Sequence, residues 1–175
     1  MTIPQPSGIK NLDIYGNAAL EWSRAVELLD RFQSEGGWGP SFLGTVTPEG
    51  RPHSAGFGPA WYDGTLYFVS GAGTRKSRNL VQNPACTVSM SLKGMDLIFE
   101  GTASRVTDPE LLEKLAAAYR AAGWPAEVEG DAFTAPYSAP SAGPPPWNVY
   151  RFDLQTAFGV ASEEPHGATR WRFTH

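Results

Sequence analysis

The chain has 175 residues, of which 41% are hydrophobic and 18% charged, a composition typical of one globular domain and not of a disordered chain. Its formal net charge of −4 argues against a general nucleic-acid-binding protein, and the single cysteine, Cys86, excludes an intrachain disulfide framework. The first 17 residues contain no apolar core segment and no apolar run could cross a bilayer, so we expect a cytoplasmic protein with one domain over residues 1–175.

The N-terminal part of the sequence predicts an irregular arm followed by a helix. Residues 1–16 show no regular period and form the predicted arm. Asn17 is a candidate N-cap, and Gly36-Gly37 ends the helix. The apolar residues that recur at helical spacing between them are Trp22, Val26, Leu29 and Phe32.

The segment 41–71 predicts three strands in a meander. Pro48-Glu49-Gly50 and Asp63-Gly64 are turn signals between apolar runs, which makes 51–61 the middle strand. A polar loop follows, and two further strands are predicted over Ala85–Leu92 and Asp96–Val106.

A second helix is predicted to begin at Thr107 or Asp108. Thr107 with Glu110 makes a capping box, whereas Asp108 with Pro109 makes a cap followed by a proline in the first turn. Its apolar face consists of Leu111, Leu112, Leu115 and Tyr119, and Gly123 and Pro125 end it.

The C-terminal part predicts a long loop and three strands. Residues 133–147 are too rich in proline for regular structure. The predicted strands are Asn148–Leu154, Ala157–Ala161 and Thr169–Phe173. About eight antiparallel strands with only two long helices favour a mainly β (α+β) closed or split β-barrel over a doubly wound sheet.

The residues best suited to bind a ligand follow the third predicted strand. Ser70–Leu80 reads SGAGTRKSRNL, which concentrates positive charge, hydroxyl groups and glycines before a short helix that starts near Ser77. The cations are Arg75, Lys76 and Arg78, and the hydroxyls are those of Thr74 and Ser77. This chemistry suits a phosphate group, although a merely solvated basic loop is the alternative. The glycine pattern fits neither a P-loop nor a dinucleotide fingerprint.

The order of several motifs resembles the pyridoxamine-5′-phosphate-oxidase-like split-barrel superfamily. The resemblance covers about residues 38–120 and is carried by Thr47–His53 (TPEGRPH), Trp61-Tyr62-Asp63-Gly64, Leu66-Tyr67-Phe68, Thr74–Leu80 (TRKSRNL), Asn83-Pro84 and Glu100–Ala103 (EGTA). The ending Gly167–Phe173 (GATRWRF) resembles the actinobacterial branch that uses the deazaflavin coenzyme F420 or, in some members, FMN.

This resemblance implies a homodimer of split barrels with two cofactor sites at the subunit interface. It implies that the cofactor phosphate is held by Ser70, Thr74, Arg75, Lys76 and Ser77, and that the ring is lined by His53, Ser54, Ala55 and Gly56, largely through backbone groups. Asn79 would order the start of the helix behind the phosphate. Trp147 and Arg170–Arg172 would come from the other subunit or close the substrate side. The family often has a proline shortly after the histidine, whereas this chain has Gly56 and Gly58.

We expect hydride transfer between the bound cofactor and a small, planar, unsaturated substrate, with no metal and no indispensable acid or base. His53 and Tyr137 are the candidate proton donors, and solvent is the simpler one. The deazaflavin is favoured over FMN on resemblance alone, and Arg51, Lys93 and Arg105 are candidates for a basic groove that would hold its longer acidic tail. The alternatives are a non-catalytic flavin- or deazaflavin-binding or sequestering protein, and a pyridoxamine or pyridoxine phosphate oxidase.

Overall fold

The computed structural model describes residues 3–137 and 140–174. That part of the chain forms three helices and eleven strands. The helices are α1 (Trp22–Ser34), α2 (Arg75–Gln82) and α3 (Pro109–Ala121). The strands are β1 (Gly8–Asn11), β2 (Ser41–Val46), β3 (Pro52–Gly56), β4 (Pro59–Tyr62), β5 (Thr65–Gly71), β6 (Ala85–Leu92), β7 (Met95–Arg105), β8 (Glu127–Glu129), β9 (Ala132–Thr134), β10 (Trp147–Ala161) and β11 (Gly167–Arg172).

The strands form one antiparallel sheet organised around the long strand β10. The main path runs β1-β11-β10-β7-β6-β2-β3, while β5 pairs with both β10 and β4. The first half of β10 pairs with β5, and its second half pairs with β11, so the sheet divides along this strand. This is the predicted mainly β split barrel, with α1 and α3 as its two long helices. The homodimer stays a prediction.

Two apolar clusters lie on opposite sides of the strand pair β5–β10. The larger cluster fills the barrel and includes Leu29, Phe68, Leu97, Phe99 and Trp171. The smaller cluster lies under α3 and includes Leu112, Leu115, Phe133, Trp147 and Val149. Along β5, Leu66 and Phe68 join the first cluster, whereas Tyr67 and Val69 contact the second, as expected because successive side chains of a strand point to opposite faces.

The N-terminal segment differs from the prediction in two ways. Residues Gly8–Asn11 are not irregular, because they pair with β11 as an edge strand. Asn17 does not cap α1: its backbone N–H and its side-chain amide both donate to the carboxylate of Asp13, at 2.8 and 3.0 Å. The helix begins instead at Trp22, after Glu21, which makes no side-chain cap.

The predicted middle strand of the meander is two strands. The chain breaks after Gly56, where Phe57 turns into the barrel core and its N–H donates to Ser41 O at 3.2 Å. Pro59, which has no N–H, then begins β4. Because β3 pairs with β2 and β4 pairs with β5, the segment forms two hairpins rather than a meander.

The C-terminal half also differs from the prediction. The two strands expected at 148–154 and 157–161 are one strand, β10, with a register shift between Leu154 and Thr156. The segment 133–147 is not all loop, since the last two residues of β9 and the first residue of β10 lie in it. The Asp108 alternative for α3 is confirmed: its carboxylate accepts from Leu111 N–H at 2.7 Å.

Candidate functional site

The basic turn predicted from the sequence lies between β5 and α2. The helix begins at Arg75, two residues earlier than expected, and Thr74 is its N-cap. The Thr74 hydroxyl accepts a hydrogen bond from Ser77 N–H at 3.2 Å. The amides at the start of a helix have no intrahelical acceptor, so the first turn of α2 presents N–H groups and partial positive charge.

Three hydroxyl groups of this turn form a hydrogen-bonded set. Ser70 Oγ and Thr74 Oγ1 are 2.7 Å apart, and Ser77 Oγ donates to Ser70 Oγ at 2.9 Å. Ser70 and Ser77 are fully buried. In this protomer these hydroxyls therefore fix the path of the chain from β5 into α2, and only Thr74, which is half-buried, adjoins solvent.

Lys76 is the most unusual residue of the turn because its side chain is only 4% exposed. Its ammonium donates to the backbone carbonyls of Gly56, at 3.4 Å, and Ser141. No carboxylate in the described part of the chain forms an ion pair with it, and burial lowers the pKa of this lysine. A buried cation with only carbonyl partners fits an anionic group such as a phosphate.

The other two cations of the turn are exposed and line a separate groove. Arg75 and Arg78 border a space of about 450 Å³ together with the β2–β3 turn at Thr47–Glu49. The guanidinium of Arg78 donates to Gly73 O. A hydrogen bond from the Thr47 hydroxyl lowers the pKa of Glu49, and the charge of Arg75 contributes to a smaller extent. The groove is therefore cationic along α2 and carries one carboxylate on its opposite wall.

Asn79 has a different role from the one expected. Its side-chain amide is buried and donates to Thr45 Oγ1 at 2.9 Å. This bond attaches the middle of α2 to β2, whereas the expectation was that Asn79 orders the start of the helix. Asn79 is thus a positioning residue that holds the basic turn against the barrel.

The segment His53–Gly56 forms most of β3, which is the last strand of the main sheet path. His53 lies opposite Thr45, and Gly56 lies opposite Phe42, whose side chain is half exposed. A Cβ atom added at Gly56 would meet nothing within 4 Å. The hydrogen bond from Lys76 to Gly56 O brings the two predicted cofactor-binding segments together at an open sheet edge.

Of the remaining predicted residues, Trp147 lies beside the basic turn, whereas Arg170 does not. Trp147 is fully buried, donates to Gly143 O at 2.8 Å and packs against Trp124. Arg170 pairs with Phe158 on β10, whereas Trp147 pairs with Gly71 beside the basic turn. The two positions on β10 are eleven residues apart, on the order of 30 Å along a strand. One protomer therefore does not bring Arg170 to the basic turn.

Sequence reasoning missed an apolar cavity of about 230 Å³ next to this site. It lies between the C-terminal ends of α1 and α3 and the segment 140–142, and Tyr137 is one of its wall residues. The signal available in the sequence was an aromatic residue just after each predicted helix end, Trp38 after Gly36-Gly37 and Trp124 after Gly123. Nothing in the sequence indicated that these residues line one cavity.

The architecture defines the class of protein. An antiparallel split barrel in which a basic turn begins a short helix beside an open strand is the arrangement of the split-barrel superfamily suggested by the motifs. The family described as Pyridoxamine 5′-phosphate oxidase matches residues 39–160. The chain belongs to this family. No curated protein matches the chain in sequence.

Solved structures show the same fold at low sequence identity. A NimC/NimA family protein from Clostridium acetobutylicum is 21% identical, with a TM-score of 0.54 over 85% of this chain and 91% of that chain. PhzG from Burkholderia lata 383, in complex with tetrahydrophenazine-1-carboxylic acid, is 15% identical, with a TM-score of 0.55 over 87% and 88%. A heme binding protein from Mycobacterium smegmatis is 16% identical, with a TM-score of 0.54 over 78% and 55%.

Two kinds of feature are absent from the described residues. Residues 3–137 and 140–174 contain no helix that is both long and apolar enough to cross a membrane. The same residues contain no group of three His, Cys, Asp or Glu side chains that could hold a metal ion.

Proposed function

We propose that the chain is an oxidoreductase that binds FMN or the deazaflavin coenzyme F420 and transfers a hydride between this cofactor and a small unsaturated organic substrate. The observation that carries the proposal is the buried Lys76 ammonium, which has no carboxylate partner in the described chain and lies between Gly56 of β3 and Ser141. The family match supports it.

The residues proposed to hold the cofactor fall into two groups. Lys76, Arg75, the Thr74 hydroxyl and the first amides of α2 would bind the phosphate, while Ser70 and Ser77 keep the turn in shape. The backbone of His53–Gly56 would line the ring. When bound, the cofactor supplies the hydride chemistry, so the protein needs only to orient it and its substrate. We propose that two protomers complete each site, since β3 is an open edge in one.

The groove beside Arg75 and Arg78 favours the deazaflavin over FMN. Both cofactors carry a phosphate on a ribityl chain, but the deazaflavin has a longer acidic tail. Two exposed guanidinium groups next to the phosphate-binding turn suit such a tail. Of the other candidates, Arg105 pairs with Asp131 at 3.0 Å, and Lys93 lies in the β6–β7 turn.

A second candidate function is cofactor binding without turnover. The bond between Lys76 and the Ser141 carbonyl shows that the segment after residue 140 lies over the buried ammonium. A segment that also closed over the bound cofactor would suit sequestration. A pyridoxine phosphate oxidase would need a second anion site near the first, and Arg170 does not lie there in one protomer.

The test is a titration of the purified protein with FMN and with F420, followed by fluorescence. The Arg75→Ala/Lys76→Ala variant should bind the preferred cofactor at least about a hundredfold more weakly, because it loses two charge-assisted contacts. A Lys10→Ala/Arg31→Ala variant removes one exposed lysine and one exposed arginine elsewhere and should bind normally.

Two outcomes would contradict the proposal. Unchanged affinity of the Arg75→Ala/Lys76→Ala variant for both cofactors would remove the basic turn from the site. Tight cofactor binding without reoxidation of the reduced cofactor by any quinone, nitroarene or enone acceptor would favour the sequestering protein.

A further inference from the structure

The apolar cavity beside the proposed cofactor cleft has the features of a ligand site. Four aromatic side chains form much of its wall: those of Trp38, Tyr119, Trp124 and Tyr137. None of the described residues in the wall is charged. Apart from the tyrosine hydroxyls and the indole N–H groups, its polar side chains are Ser141 and Gln33, and Gln33 Oε1 already accepts from the backbone N–H of Trp61 at 2.8 Å. The cavity therefore disfavours a charged ligand.

Tyr119 gives the cavity wall a buried hydroxyl group without a hydrogen-bond partner in the described residues. Its side chain is 9% exposed, and its hydroxyl has no hydrogen-bond partner in the described part of the chain. The ring is fixed by edge contacts with Trp124 and Phe133, at centroid distances of 5.1 and 5.9 Å. Burial raises the pKa of this phenol, so it stays protonated near neutral pH and can donate a hydrogen bond. A buried donor without a partner is unfavourable, which is why such groups often mark a missing ligand or water.

The cavity adjoins the proposed cofactor cleft. Ser141 belongs to the cavity wall, and its carbonyl accepts from the Lys76 ammonium. Gly58, also in the wall, lies two residues after Gly56, the other acceptor of Lys76. One end of the cavity is therefore separated from the proposed phosphate-binding lysine by a single layer of backbone.

We propose that this cavity is a ligand site and that it takes an uncharged, flat compound of one or two rings whose carbonyl or similar acceptor is bound by the Tyr119 hydroxyl. This inference goes beyond the proposed function and does not depend on it. A volume of about 230 Å³ is below the roughly 300–1,000 Å³ typical of sites for drug-sized ligands, so the ligand is small. Flat rings suit the aromatic wall through offset or edge contacts.

The test compares three probes by calorimetry on the protein without added cofactor. The probes are 1-tetralone, which is neutral and has an acceptor; tetralin, which has the same rings and no acceptor; and 1-naphthoate, which is charged. The wild type should bind 1-tetralone about tenfold more tightly than tetralin, the effect of one buried hydrogen bond, and should bind 1-naphthoate most weakly.

Tyr119→Phe removes the hydroxyl and keeps the ring, so it should lose the preference for 1-tetralone and bind tetralin as the wild type does. Tyr150→Phe is the matched control, because Tyr150 is buried in the barrel cluster and is not part of the cavity wall. It should keep the preference. Ala122→Phe, at the end of α3, should fill the cavity and weaken both neutral probes.

The outcomes for the cavity and for the cofactor are separable. Equal binding of 1-tetralone and tetralin by the wild type, or an unchanged preference in Tyr119→Phe, would overturn the pocket assignment whatever the cofactor titration gives. Tyr119→Phe should bind FMN or F420 as the wild type does, which also shows that it is folded. If the wild type binds neither cofactor but shows the tetralone preference, the proposed function fails and the ligand site stands.

Discussion

The ammonium of Lys76 and the carbonyl of Ser141 form a hydrogen bond across 65 residues of sequence. This bond joins the turn after β5 to the loop that precedes β10. The loop is held further by Gly71 N–H, which donates to Ala142 O at 2.7 Å. The basic turn and the segment 141–142 of the cavity wall are therefore parts of one connected structure.

Lys76 should make the free energy of unfolding change with pH in the alkaline range. Burial lowers its pKa below the ordinary value of 10.5, so the unfolded chain binds the proton more tightly than the folded one. Stability should therefore rise with pH between the folded-state pKa and 10.5, by about 1.4 kcal/mol for each unit of lowering. Urea unfolding of the wild type and Lys76→Met at pH 7 and pH 10 measures this, and the wild type should gain relative to the variant.

The control for that experiment is Lys93→Met, at an exposed lysine of the β6–β7 turn. Its stability should stay parallel to that of the wild type over the same pH range. A constant difference between the wild type and Lys76→Met from pH 7 to pH 10 would show that the ammonium is solvated rather than buried.

Asp108→Ala should destabilise α3, the helix that carries Tyr119. The Asp108 carboxylate accepts from Leu111 N–H at 2.7 Å, and loss of such a cap costs about 1 kcal/mol. Chemical denaturation should show this loss, whereas Glu113→Ala, an exposed change in the same helix, should leave the free energy of unfolding within about 0.5 kcal/mol. Recovery in Asp108→Asn would identify the hydrogen bond as the cause, and equal loss in both alanine variants would contradict it.

Gly101→Ala should be poorly tolerated. A Cβ atom at this position would lie far inside contact distance of the Asp153 backbone carbonyl, where β7 pairs with β10 next to the register shift. Since a backbone atom cannot rotate away, we expect a loss of about 1–3 kcal/mol by thermal or urea unfolding. Gly73→Ala, in the basic turn, has nothing within 4 Å of the added atom and is the control. A native-like Tm for Gly101→Ala would mean that the two strands separate easily.

Cys86 should be unreactive until the protein unfolds. The thiol is 6% exposed, and burial, aided by the charge of Asp153, raises its pKa to about 12. Since the thiolate is the reactive form, almost none is present at pH 8. A disulfide reagent such as dithiobisnitrobenzoate should label the native protein slowly and the urea-unfolded protein at once. Rapid labelling under native conditions would show that β6 opens locally.

Features set by short-range chemistry could be predicted from the sequence. The apolar period of α1 and α3, the Asp108-Pro109 start and the alternation of β5 are all local patterns, and each is found in the structure. Cys86 is the small buried core residue that its apolar strand context indicates. The order of turn, strand and basic loop also sufficed to identify the superfamily, which the family match confirms.

Features that depend on distant parts of the chain could not be predicted. The pairing of Gly8–Asn11 with β11 and the fusion of two predicted strands into β10 are decided by partners far away in sequence. The burial of Lys76 has the same origin, because Gly56 and Ser141 approach it only in the folded protein. The roles given to Lys76, Arg75 and His53 in cofactor binding stay predictions.

Strand β10 contributes to both apolar clusters, but the two clusters should differ in how easily they open. The small cluster is closed by α3 and the short hairpin β8–β9, which attaches to β10 through only two paired positions, Trp147 and Asn148. The barrel cluster is closed by long ladders on both sides of the same strand. The layer formed by α3 and the β8–β9 hairpin can therefore open transiently while the barrel stays folded. A small molecule can reach the small cluster in this way without global unfolding.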